Sequence, residues 1–132
     1  MQGKIALEEH FSTEEFLEDI KPYFVREGKW EEGKATICDI SGKRLEEMDA
    51  NGIEYNILSL SSPTIQGICS TADAIVAAKN INDYLAQQIQ PLPRRFGGFA
   101  ALPTQDPEAS ILELQRCVKD FNFKGALVNG FC

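Results

Sequence analysis

This sequence holds a single histidine and a single tryptophan among 132 residues. All imidazole chemistry in the chain therefore falls to His10, and a cysteine nucleophile would need that same ring as its base. The four cysteines, Cys38, Cys69, Cys117 and Cys132, are widely spaced, with no Cys-x-x-Cys pair and no Cys/His cluster. They read as free thiols. No apolar run approaches the roughly 20 residues that span a bilayer. Nor does the opening Met-Gln-Gly-Lys contain the apolar core of a secretory signal. The chain is thus expected to be cytoplasmic, with no membrane partner. Positive charge is also sparse: 13 Lys and Arg stand against 20 Asp and Glu, for a net charge of -7. The basic residues are scattered, with no stripe or tail, which argues against nucleic-acid binding.

What is present is an ordinary soluble composition, 43% apolar and 25% charged. The length suffices for one domain with a real core, and no linker divides residues 1–132. The organising stretch is Gly3 to Phe11, Gly-Lys-Ile-Ala-Leu-Glu-Glu-His-Phe. Its uninterrupted Ile5, Ala6 and Leu7 read as a strand of a parallel sheet. Alternation along a strand sends Glu8 and His10 one way and Glu9 the other. A carboxylate beside an imidazole at a strand end makes half of a divalent-metal site.

Residues 11 to 37 form a long irregular stretch, with room for a short helix capped by Ser12 or Thr13. Beyond Pro22 it is Gly-punctuated and charged and carries Tyr23, Phe24 and Trp30, the composition of either mobile excess or a loop lying over a site, with the aromatics packed on the body as the alternative. A helix is expected from about 40 to 51, closed by Gly52. Ile53 to Leu60 is the second strand. A long helix follows from Ser70 or Thr71 to Gln90, its inner stripe Ile75, Ala78, Ile81, Leu85 and Ile89, ended by Pro91 and Pro93. Arg94 and Arg95 read as solvated loop charges before the third strand, Phe96 to Leu102. The small residues of that strand suit close packing. Asp106-Pro107-Glu108 is a helix start. Ile111, Leu114, Cys117, Val118 and Phe121 follow at core spacing, and Asn122 serves as the C-terminal cap. The last strand is Lys124 to Val128.

Strand and helix thus alternate, which predicts an α/β fold with about four parallel strands joined by right-handed crossovers. The strands' C-terminal ends, where such folds place function, carry Glu8 and His10, Ser61 and Ser62, Pro103 and Thr104, and Asn129. No helix follows the last strand, so the chain reads as though cut within a larger α/β protein.

The opening Met-Gln-Gly-Lys-Ile-Ala-Leu-Glu-Glu-His-Phe resembles the N-terminus of the aromatic-acid decarboxylases of the amidohydrolase superfamily, the γ-resorcylate (2,6-dihydroxybenzoate) decarboxylases in particular. The resemblance recurs through Arg44-Leu45, Met48-Asp49, Gly52-Ile53, Ile57 to Leu60 and Asn82-Asp83. It continues in Arg94 to Pro103, Gln105-Asp106-Pro107, Glu113 to Val118 and Gly125 to Phe131, and weakens over 12–37. It implies the N-terminal half of a (β/α)8 TIM barrel with one divalent metal ion, zinc or manganese, at the barrel mouth. It further implies Glu8 and His10 as metal ligands, with a second His and an Asp supplied by later strands. Asn129 is implied to line the substrate pocket, with Phe24 as an aromatic wall. The implied reaction is loss of CO2 from an ortho-hydroxybenzoate, a small aromatic carboxylic acid, with an Asp beyond this chain delivering the proton and no organic cofactor.

A complete barrel of this kind needs roughly 250 residues, and a catalytic zinc keeps three or more protein ligands. The expectation is therefore a partial domain with an incomplete metal site, no catalytic residue of its own and no activity alone. It would form a homo-oligomer or pair with a complementary half-barrel. Two alternatives accompany this reading: an amidohydrolase-type hydrolase, or a non-catalytic interaction module built on the open half-barrel.

Overall fold

A computed structural model describes residues 3–20 and 30–130. Four strands, β1 (Lys4–Phe11), β2 (Ile53–Leu60), β3 (Phe96–Ala100) and β4 (Gly125–Ala126), lie in chain order in one sheet. Every neighbouring pair is parallel. The connections carry helices α1 (Glu14–Ile20), α2 (Trp30–Cys38), α3 (Lys43–Asn51), α4 (Thr71–Ile89) and α5 (Pro107–Phe121). Each β–α–β unit buries one side of its strands under helices, the arrangement that nearly continuous apolar strands demand.

The helix ends follow their sequence signals. Gly52 closes α3 in the left-handed region at φ 67, and Asn122 closes α5 there at φ 57. Asp106 accepts from the Ala109 amide at 3.0 Å with Pro107 in the first turn, and Ser70 accepts from the Asp73 amide to start α4.

Other expectations are corrected. Thr13, not Ser12, caps α1, its hydroxyl accepting from the Phe16 amide at 3.1 Å, while Ser12 is fully buried. The supposed loop contains α2, which carries Gly33 in its interior. Trp30 is half-buried against the core; Tyr23 and Phe24 lie outside the described residues. The third helix starts at Lys43, since Asp39 accepts from the amides of Gly42 and Arg44 and holds the chain outside the helix until then. On α4 the buried stripe contains Ala74 and Asn82, and Ile75 is exposed. On α5 only Cys117 is buried, with Ile111 and Val118 exposed. β3 stops at Ala100, and β4 is shorter than the expected Lys124 to Val128.

Arg95 is also more than a solvated charge. It donates to Asp49 at 2.7 Å and to the carbonyls of Glu54 and Ile53, tying the start of β3 to α3 and β2. Above it, Leu58, Leu60, Phe96, Ala78, Ile81 and Leu85 fill the space between sheet and helices. Cys117 is a buried free thiol, pushed up to about 12 by burial and the nearby Glu113 carboxylate. Cys69 is exposed and Cys38 half-buried, both free. Among the described residues, no helix is long and apolar enough to cross a membrane.

Candidate functional site

The register of β1 on β2 sorts the opening motif by face. Glu9 stands opposite Leu58 and Phe11 opposite Leu60. Both turn toward the helices: Glu9 accepts from Arg44 of α3 at 3.2 Å, and the Phe11 ring stacks on Tyr84 of α4 with centroids 6.3 Å apart. His10 stands opposite Ser59, and its Nδ1 lies 3.0 Å from the Ser59 hydroxyl. The imidazole is thereby set on the face away from Arg44 and Tyr84. Glu8 falls inside an irregularity in the pairing with β2, between Ala6 and Glu9, so alternation does not fix its side. The irregularity takes in the first residue of the motif, and such bulges re-aim side chains near functional sites.

Glu8 and His10 are both exposed on an edge strand of the described sheet. Glu8 makes no hydrogen bond or ion pair among the described residues, so its carboxylate is available to a ligand. With Nδ1 at Ser59, the histidine has Nε2 left to offer. A free carboxylate and a free imidazole nitrogen suit a divalent cation such as zinc or manganese. The set is short, however: among the described residues, no group of three or more His, Cys, Asp and Glu side chains could hold a metal ion.

The backbone beneath the motif is firmly held. Arg44 donates from Nη2 to the His10 carbonyl at 2.7 Å and from Nε to the Asp39 carbonyl at 2.9 Å. Burial pulls its guanidinium below the usual arginine range, against the opposing pull of Glu9, Asp39 and Glu47. A cleft of ≈ 700 Å³ opens along β1, lined by Glu8, Glu9 and His10 of the strand and by Asp39, Arg44 and Glu47 among others.

The far ends of the strands form a rim. The Ser61 amide donates to the Phe11 carbonyl at 2.9 Å, joining the ends of β1 and β2. Gln105 donates to the carbonyls of Ile65 and Ile68 at 2.9 and 2.7 Å, joining the loops after β2 and β3. Beyond each strand lies one buried polar atom without a partner: Ser12 Oγ, Ser61 Oγ, Gln105 Oε1 and Asn129 Nδ2. Buried polar groups are rarely left unpaired; Asn56 Oδ1, within β2, is another.

The sequence singled out Glu8, His10 and Asn129, and the structure brings Glu8 and His10 onto one strand, with Asn129 on the same rim beyond β4. Phe24 lies outside the described residues. Ser59 was missed, and Arg44 entered only through the resemblance. A polar residue inside the buried run Ile57 to Leu60 was the available signal for Ser59, since a buried hydroxyl needs a partner.

The amidohydrolase family model matches residues 9–132. The γ-resorcylate decarboxylase of Polaromonas sp. is 52% identical over 131 residues, covering 99% of this chain and 40% of that protein. The γ-resorcylate decarboxylase of Rhizobium radiobacter gives the same figures. This chain therefore spans 40% of the length of these relatives. A crystal structure of the Polaromonas dihydroxybenzoic acid decarboxylase, with bound manganese and the inhibitor 2-nitroresorcinol, superposes with a TM-score of 0.92. There the identity is 51%, over 98% of this chain and 39% of that one.

Proposed function

The chain belongs to the amidohydrolase family, and on that footing we propose that it supplies the first four strands of a metal-dependent, non-oxidative decarboxylase of ortho-hydroxybenzoate-type acids. The observation that carries this reading is the placement of Glu8 and His10. Both are exposed near the C-terminal end of β1, in a chain that superposes on a manganese-bound dihydroxybenzoate decarboxylase.

In this reading Glu8 and His10 Nε2 hold the cation, and strands beyond these four add the remaining ligands. Manganese or zinc would supply Lewis-acid charge to the substrate's oxygens. The Asn129 amide, whose Nδ2 is buried and unpartnered, donates a hydrogen bond to the substrate as it lies across the rim, and Phe24 walls the pocket. The reaction breaks the bond between ring and carboxylate carbon; CO2 leaves and the ring carbon takes a proton. The proton donor is assigned to the part of the barrel that these strands do not include. The likeness to decarboxylases favours this chemistry over hydrolysis. The domain is one partial barrel, cytoplasmic, whose open edges pair with a complementary half-barrel or a second copy.

The test is complementation. The purified chain with Mn2+ and 2,6-dihydroxybenzoate is expected to release no CO2. Combined with a separately expressed remainder of the Polaromonas enzyme, it is expected to release CO2, and Glu8→Gln or His10→Ala should remove that activity. A complemented, folded barrel that stays inactive, or keeps its rate in the His10→Ala variant, would overturn the proposal.

A further inference from the structure

We propose that Ser59 is a positioning residue for His10, setting which ring nitrogen meets the metal. The inference rests on the proposed metal site and goes one residue further into it. His10 is an exposed side chain on an edge strand, and such a ring ordinarily samples several rotamers. Here it is held at two points. Arg44 fixes its backbone through the carbonyl at 2.7 Å, and Ser59 fixes the ring through Nδ1 at 3.0 Å. With both fixed, the position of Nε2 follows.

Ser59 is itself well placed for this task. It is 1% exposed between Leu58 at 0% and Leu60 at 3%, so its rotamer is confined by packing. It stands directly across from His10 in the β1–β2 register. His10 is the one hydrogen-bond partner of its hydroxyl among the described residues. A cation on Nε2 requires the proton on Nδ1, which then donates to Ser59 Oγ. A histidine ligand held through its second nitrogen is the usual arrangement at metal sites, and losing the outer partner commonly costs ten- to a hundredfold in metal affinity.

The lone histidine makes the test direct. The chain is labelled with nitrogen-15, combined with the unlabelled remainder of the Polaromonas enzyme so that every labelled imidazole is His10, and titrated with Zn2+ and, separately, Mn2+. In the wild type, Zn2+ is expected to move the Nε2 resonance selectively, and Mn2+ to broaden the ring protons. Ser59→Ala, whose fold is checked by its amide spectrum, is expected to bind about tenfold more weakly and to spread the zinc shift over both nitrogens. Ser59→Thr keeps the hydroxyl and should restore both affinity and nitrogen selectivity. If the wild type binds through Nε2 and Ser59→Ala does so equally tightly, the positioning role is wrong while the metal site stands. If neither ion perturbs His10 in the wild type, the metal site itself is wrong, and the role of Ser59 falls with it.

Discussion

Arg44 grips the main-chain carbonyl of His10 at 2.7 Å while its other nitrogens reach the Glu9 carboxylate and the Asp39 carbonyl. One guanidinium on α3 thus joins the motif strand to the turn that starts the helix. The Asp39 carboxylate completes the loop by accepting from the Arg44 and Gly42 amides, each at 2.8 Å. The planar fork of an arginine allows three partners at once; a lysine offers a point charge.

Replacing Arg44 with Ala should therefore destabilise the chain by about 2 kcal/mol, the scale of lost hydrogen bonds involving a charged group. Arg44→Lys should recover only a minority of that loss. Urea unfolding of the three proteins measures both. A Lys variant as stable as wild type would show that charge, not the fork, is what matters.

How much of this was legible in the sequence depended on whether the signal was local. Asp106-Pro107, Gly52 and Asn122 marked helix ends correctly because caps are set by the residue and its immediate neighbours. The opposite facing of Glu9, toward Arg44, and His10, toward Ser59, was readable for the same reason, whereas the irregularity that takes in Glu8 was not. The pairing of Ser59 with His10, 49 residues away, and of Arg95 with Asp49, 46 residues away, needs the register of one strand on another, which no local pattern encodes. Ile111 and Val118 show the opposite failure. Their spacing is that of a core stripe, yet both are exposed among the described residues, because spacing names an apolar face without naming what covers it.

Asn82 is a buried polar residue that stitches α4 to the end of β3. Its side chain accepts from the Ala101 amide at 2.9 Å and donates to the Ala101 carbonyl at 2.9 Å and to Glu113 at 2.8 Å. Asn82→Ala strands the two buried backbone groups of Ala101 and removes one bond to Glu113 Oε1, which Arg116 still serves. The expected cost is about 2–4 kcal/mol, since each unsatisfied group costs about 1–3 kcal/mol and small relaxations recover part. Asn82→Leu, of similar size, should be no better, which separates lost hydrogen bonds from lost volume. Denaturant midpoints decide it.

Two glycines make opposite predictions. A Cβ on Gly98 would sit 2.7 Å from Phe123 Cε1, inside a ring that is only 3% exposed. Gly98→Ala should cost about 1–3 kcal/mol through overpacking. A Cβ on Gly33, within α2, meets nothing within 4 Å, so Gly33→Ala should stabilise by up to about 1 kcal/mol through helix propensity. Thermal melts of the two variants should move in opposite directions from wild type.

Acid should weaken the α4–α5 junction through Glu113. Arg116 donates to both of its oxygens, at 2.8 and 2.7 Å, and Asn82 adds a third bond at 2.8 Å. Burial alone would raise the Glu113 pKa, but the bonds from Arg116 and Asn82 and the guanidinium charge outweigh it and hold the carboxyl below its ordinary value. Asp83 behaves alike: burial raises it, while bonds from Lys79 and Arg116 bring it lower on balance. A native carboxylate held below its unfolded value binds its proton less readily folded than unfolded. Its stabilisation is thus complete above the unfolded pKa of about 4 and is lost as pH falls from there through the lowered native value. Glu113→Gln removes that titration. Wild type should be the more stable at neutral pH, and the gap in urea midpoint between the two proteins should narrow as pH drops below about 4. A gap that stays constant down to full protonation would mean that Glu113 contributes shape rather than charge.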